Sequence, residues 1–461
     1  MNLSENRLFY LFKSLNNKEL VLFKKFSKFY FVRNDNDVLR LFTFFFEELP
    51  GDFSSVSKEQ IFAYLYGDAP YNDLRIRHLL SAATSVVEDF IVFQKVQKSS
   101  FVHRKILLQH FLENGMEKPA KWAIGDLQNL MISESVHDAD YYRRRYELGV
   151  ANYHFQSNNV RTEDFDFPST VENLTVYTII ETLKSACTIN TINKVMESKI
   201  QHPLLDPILQ LLPESDYLRE PLVRIYYHLF QLVEHEQEEV FEELLLDIQQ
   251  HENLFSQKDL NTVYRSVINF CIKKSNQNNP AYTRKAFEIY IYAIDNGSLI
   301  EHQEINRFIF TNVITLGIKL GELEQSLEFL ESHRHLVHPN YAQNTIVYNL
   351  AKIYYAQKEF DKALKILFTN EFKDKIWNLN SKYLILKILF EQKELDTFRQ
   401  QLSAFKAYVK RIQNVGYHKT YFENVIQSLT ILLSKALGKK KYADHFFSKE
   451  TPDYEWFEGM S

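Results

Sequence analysis

Two turn phrases constrain this chain more than anything else in it. Gln357-Lys358-Glu359-Phe360-Asp361 is echoed 35 residues later by Gln392-Lys393-Glu394-Leu395-Asp396. Leu350, Ala351 and Tyr354 stand before the first phrase, and Ala363 and Leu367 after it. Small residues twelve positions apart, flanked by large apolar ones, let two short antiparallel helices touch and leave a face for the next pair. The pattern predicts an all-α chain built of helical hairpins. Glycine usage points the same way. There are 11 Gly and 11 Pro in 461 residues, and no Gly between Gly149 and Gly297. Sheets joined by tight turns need more positions at φ > 0 than that.

The rhythm is uneven along the chain. Residues 1–100 read as a separate helical unit. Ser57-Lys58-Glu59-Gln60 is a capping box, with Val56 and Ile61 as a hydrophobic staple. A second helix is expected from Asn72 or Asp73, with Leu74, Ile76, Leu79, Leu80, Ala83, Val86, Val87, Phe90 and Ile91 at helical spacing. Hairpins are expected over 101–155, turned at Asn114-Gly115, and a loop or boundary over 156–169. Pro203, Pro207, Pro213 and Pro221 break the irregular helical stretch 170–255 into short pieces. Hairpins return over 256–461, where Ala286, Ser326, Ala363 and Phe398 take equivalent places at spacings of 40, 37 and 35.

At these residues the chain resembles the tetratricopeptide repeat family, whose pattern places Trp, Leu, Gly, Tyr, Ala, Phe, Ala and Pro within 34 residues. Residues 344–375 supply Leu350, Ala351, Tyr354 and Ala363, with Val347 for Trp, Ala351 at the usual Gly place and Leu367 for Phe. The two late places fall on Asn370 and Lys375 and do not match. The resemblance implies a right-handed superhelix following the N-terminal unit, with the first helix of each hairpin lining the inner surface. Carried over place by place, the groove positions are Thr345, Tyr348, Lys352 and Tyr355, then Asn380, Tyr383, Lys387 and Phe390. Tyr348, Lys352, Tyr355, Tyr383, Lys387 and Phe390 are therefore the candidate partner-binding residues, two lysines in register among aromatic rings. Such a surface suits a protein or peptide partner, in particular an acidic or carboxylate-bearing segment. The implied role is a non-catalytic scaffold or adaptor. The competing arrangement packs Tyr348 and Phe390 between helices and leaves the lysines in water.

A rival function attaches to the N-terminal unit. Val56 to Tyr66 followed by Leu74-Arg75-Ile76-Arg77-His78 looks like the helical part of a winged-helix module, as in regulators that pair DNA binding with a tetratricopeptide-like sensing region. Only Arg75, Arg77 and His78 could face a groove, Ser81 to Ser85 reads as a packing surface, and a wing would have to come from Val92 to Val102. With a net charge of −5 and a pI near 6.3, nucleic acid is not the expected partner.

Other chemistry is poorly provided for. Phosphate-cradling Gly-rich loops, Gly-x-Ser-x-Gly and His-Glu-x-x-His are missing, so no enzyme activity and no cofactor are expected. His333, His335 and His338 lack partner ligands at metal spacing, and His137-Asp138-Ala139-Asp140 has suitable ligand atoms but reads equally as a capping turn. Arg143-Arg144-Arg145 fans around a helix and cannot follow one phosphate track. Residues 234–252 hold eight acidic side chains and no Lys or Arg, which reads as a solvated face. Two cysteines, Cys187 and Cys271, fit free thiols. The lack of a signal segment or long apolar run gives a cytoplasmic location without membrane insertion as the expectation.

Overall fold

The computed structural model describes residues 6–30, 37–47, 56–159, 166–196, 198–277, 279–413, 418–438, 447 and 451–460. The chain is all-helical. Among the described residues the only strands are Ile300–Glu301 and Glu304–Ile305, a two-residue antiparallel pair. It divides into two compact units, residues 1–134 with 143–174, and residues 135–142 with 175–461.

The first unit holds α1 (Arg7–Ser14), α2 (Asn17–Tyr30), α3 (Asp37–Glu47), α4 (Lys58–Tyr66), α5 (Asp73–Lys98), α6 (Ser100–Glu113) and α7 (Glu117–Ser133). α8 (Ala139–Asn159) and α9 (Phe167–Met196) contribute to both units. The division falls at Leu174 and Thr175, inside α9, while part of the expected boundary stretch 156–169 lies outside the described residues.

The capping box forms as expected. Gln60 N–H donates to Ser57 Oγ at 3.2 Å and Ser57 N–H to Gln60 Oε1 at 2.8 Å, while Val56 and Ile61 are both buried. Gly67 at φ 60° ends α4, and Asn72 caps α5 by accepting from Arg75 N–H. The core of α1–α5 is made of rings: Phe9, Phe12, Phe23, Phe42, Phe45 and Phe90 are all essentially inaccessible.

The second unit continues through α10 (Leu205–Leu211), α11 (Pro221–His235), α12 (Phe241–Gln250), α13 (Gln257–Asn276), α14 (Pro280–Asp295), α15 (Arg307–Leu320) and α16 (Leu323–His333). It ends with α17 (Pro339–Ala356), α18 (Phe360–Thr369), α19 (Lys375–Glu391), α20 (Leu395–Arg411), α21 (His418–Ala436) and α22 (Tyr454–Met460). The expected short pieces appear only after α9, which runs for 30 residues, and Pro207 lies inside α10 without ending it. Pro213 lies in a 3-10 turn and Pro221 starts α11 at a position whose amide needs no partner. Consecutive helices pack as hairpins, and α15, α17 and α19 also touch one another in sequence.

The repeated turn has one backbone geometry. Glu359 N–H donates to Tyr354 O at 2.9 Å and Lys358 N–H to Tyr355 O at 3.0 Å. Glu394 to Leu389 O and Lys393 to Phe390 O repeat those distances, and Glu322 to Gly317 O and Gly321 to Ile318 O repeat them within 0.1 Å. These are Schellman closures, whose pivot residue must be left-handed. Gly321 takes that role at φ 78°, whereas Lys358 and Lys393 take it at φ 62° and 61° despite their side chains. Ala286, Ser326, Ala363 and Phe398 are each 0% exposed, as their shared register requires. In the α15–α16 hairpin the closest approach shifts by one turn. A methyl on Gly317 would meet Ser326 Oγ at 2.2 Å and the Phe287 ring at 3.1 Å.

Candidate functional site

The six candidate residues lie on α17 and α19, which pack side by side. Lys387 lies close enough to Lys352 for its charge to disfavour the Lys352 ammonium. Burial, with the Lys387 charge second, pushes Lys352 down to about 7. Lys352 Nζ donates to Thr315 Oγ1 of α15 and lies 5.8 Å from the Tyr348 ring centroid. Among the described residues no carboxylate lies within ion-pairing distance of it.

Lys387 has a different fate. Its side chain is 14% exposed and its Nζ donates to Asp453 Oδ2 at 2.7 Å, an oxygen that also accepts from Tyr383 OH at 2.8 Å. The Nζ sits 5.3 Å from the Tyr355 ring, 5.7 Å from Tyr383 and 5.0 Å from Trp456. Beside it, Glu391 is 7% exposed and accepts from Tyr355 OH, from Lys358 Nζ at 2.8 Å and from Trp456 Nε1 at 2.9 Å. Burial opposes its charge, but these donors outweigh burial and hold its carboxyl below the ordinary value. Burial, together with the acceptors Glu391 and Asp453, raises Tyr355 and Tyr383, so both hydroxyls stay protonated donors.

The structure groups Tyr348, Lys352, Tyr355, Tyr383 and Lys387, with Phe390 joined to them through Trp456, but not all eight carried-over positions. Thr345 is 0% exposed and belongs to the core of α17. Tyr348 is half-buried, its ring 4.8 Å from that of Trp377, and Phe390 packs at 5.4 Å on Phe398 of α20. Aromatic packing between helices and a lysine-bearing face therefore coexist.

No family model, no curated protein and no solved structure matches this chain.

Elsewhere, Glu234, Glu238, Glu239, Glu242 and Glu243 of the acidic run are exposed, yet four of its eight carboxylates also take a cation. Glu236 takes Lys273 and Lys274, Glu238 takes Lys274 at 2.7 Å and Tyr282 OH at 2.8 Å, and Glu242 takes Lys285. Asp247 accepts Arg224 through Nε at 2.6 Å and Nη2 at 2.9 Å. The cations come from α11, α13 and α14, so a run with one sign in sequence is partly compensated in space. The Lys273 and Lys274 ammonium groups pull Glu236 down to about 2.

Ligand-capable atoms of His228, Glu243 and Asp247 lie within 4.8 Å of one another, a grouping sequence spacing does not advertise. Asp247 is already clamped by Arg224, and burial pushes His228 below its ordinary value. His333 stacks on Phe329 at 4.5 Å, and Asp138 accepts from Tyr141 N–H at 3.1 Å in a turn at the start of α8.

In the first unit, Arg75 lies 3.7 Å over the Tyr66 ring and pairs with Asp37 at 3.3 Å, while Arg77 pairs with Asp73. Within Ser81 to Ser85 only Ala83 and Thr84 are buried. Residues 92–102 contain no strand: α5 runs to Lys98 and α6 starts at Ser100. Arg144 pairs with Glu134 at 3.1 Å and lies over Phe101, and Arg143 pairs with Glu147 at 2.7 Å. Burial pushes both thiols up to about 12, Cys271 fully buried and Cys187 partly. No helix among the described residues is long and apolar enough to cross a membrane.

Proposed function

We propose that this protein is a non-catalytic scaffold or adaptor of tetratricopeptide-like superhelical build, which holds an acidic peptide segment on the face of α15, α17 and α19. One observation carries the reading. Two lysines from successive hairpins converge among Tyr348, Tyr355 and Tyr383, and Lys352 has no carboxylate near it among the described residues. Lys387 already has Asp453, whereas Lys352 meets the Lys387 charge with no carboxylate of its own, and an incoming carboxylate relieves that repulsion. The rings around them supply area and cation–π attraction without competing for the anion. The repeated turns and the 0% exposure of Ala286, Ser326, Ala363 and Phe398 support the superhelical build.

The test is Lys352→Glu in the full chain, because Lys352 is not committed to an internal ion pair. Capture of a partner from the native lysate, read by mass spectrometry, is expected to be lost while helicity and melting temperature stay unchanged. Undiminished capture overturns the reading. A pH series sharpens it. A carboxylate beside Lys352 raises its pKa, so binding takes up a proton and capture weakens as the pH rises past about 7.

A further inference from the structure

The last described segment departs from the hairpin pattern. α22 has seven residues and packs on α21 and across the end of α19, on the candidate face itself. Asp453 sits just before it at φ 57°, a left-handed conformation that Asp tolerates better than most residues. In that conformation its carbonyl accepts from Trp456 N–H at 3.1 Å and Phe457 N–H at 3.2 Å, and its carboxylate reaches Lys387 and Tyr383. One turn on, Trp456 gives its indole N–H to Glu391 and its ring to Lys387 and Phe390, with the Phe390 centroid at 6.2 Å. Phe457 is 0% exposed, 5.1 Å from the Phe447 ring.

The chain thus carries its own occupant of the face. Residues 451–461 hold Asp453, Glu455 and Glu458 and no basic side chain, complementary in sign to Lys352 and Lys387. Its contacts are a carboxylate on a lysine and a tyrosine, an indole on a glutamate and a cation, and one buried ring. All three kinds are recognition contacts of a helix laid into a groove.

We infer that residues 451–460 are a tethered ligand of this face, and that the partner it receives carries the same chemistry: a carboxylate, two residues, then Trp-Phe on one helical turn. The inference rests on the peptide-binding reading above and names the class of peptide. A tethered segment holds a high effective concentration, so an outside segment meets an occupied face and binds only to the fraction that has opened.

The probe is a fluorescein-labelled peptide of residues 451–460, titrated by anisotropy against full-length protein. Asp453→Lys with Trp456→Ala in the full chain is expected to bind it on the order of tenfold or more tightly than wild type. Adding Lys387→Glu to that variant is expected to abolish binding. In the wild type, excess unlabelled peptide is expected to speed amide hydrogen exchange at Trp456 and Phe457.

Equal affinity of wild type and opened variant, or indifference to Lys387→Glu, overturns the inference. If the opened variant does not fold, exchange in the wild type decides alone, and rates unmoved by peptide overturn it. A wild-type dimer that the peptide splits into monomers means the segment is exchanged between copies, which also overturns it. Should the peptide fail while Lys352→Glu still abolishes capture, only this inference falls and the peptide-binding reading stands.

Discussion

In α1–α5 the centre is filled by phenylalanine rings among aliphatic side chains, whereas in α15–α20 a few small residues, Gly317, Ser326, Ala351 and Ala363, are buried among large ones such as Phe310, Trp377, Leu386 and Phe398 and let backbones approach. Phe23 has the Phe42, Phe90 and Phe12 rings at 4.9, 5.1 and 5.3 Å around it, all three edge-on. Gly317 has Ser326 across from it with no room for a methyl group, and Ala351 and Ala363 are both 0% exposed. Burying rings gains area and sets few demands on spacing. Bringing helix axes together sets strict demands on spacing and gains little area per residue. The first strategy stabilises a bundle, and the second fixes a register that can be repeated.

Three tests by substitution probe that contrast, in falling order of effect. Phe23→Ala should cost about 3–5 kcal/mol, because a fully buried ring leaves a cavity its neighbours cannot close. Urea unfolding followed by circular dichroism reads it, and a loss below about 1 kcal/mol would mean the ring core is plastic. Gly317→Ala should cost about 1–3 kcal/mol by overpacking against Ser326 and Phe287. Ser326→Ala in the same chain should recover part of that loss. If the two costs simply add, close approach is not what this position requires.

The smallest effect separates the two turns. Lys393→Gly should gain about 0.5–1 kcal/mol, the left-handed penalty of a side chain less the entropy cost of glycine. Lys358→Gly should gain less or nothing, since Lys358 also pairs with Glu391 at 2.8 Å. Equal gains would show that this half-buried pairing is energetically silent.

The same contrast explains what could be read from residues alone. Small residues at fixed intervals and a recurring turn phrase are local signals, so the hairpins and the buried register of Ala286, Ser326, Ala363 and Phe398 were legible. The capping box at Ser57 was legible for the same reason. The ring core of α1–α5 was not, because Phe9 to Phe90 follow no period that says which ring meets which. The exposure of most of the acidic run was legible, but its pairing was not, because a charge pattern reports one side of a contact. Lys273, Lys274 and Lys285, on the next two helices, pair with Glu236, Glu238 and Glu242, three of its eight carboxylates. The C-terminal segment was hidden most completely: Asp453 meets Tyr383 across 70 residues, a distance at which spacing carries no information.

The shared turn geometry reaches beyond stability. Gly321, Lys358 and Lys393 pivot on the same bonds, so the chain could be cut at one turn and rejoined at another without disturbing the backbone on either side. Loss or duplication of the segment between Lys358 and Lys393 would remove or add one whole hairpin in register. Such an array can change length by recombination alone, and each gain or loss would carry one lysine of the candidate face with it.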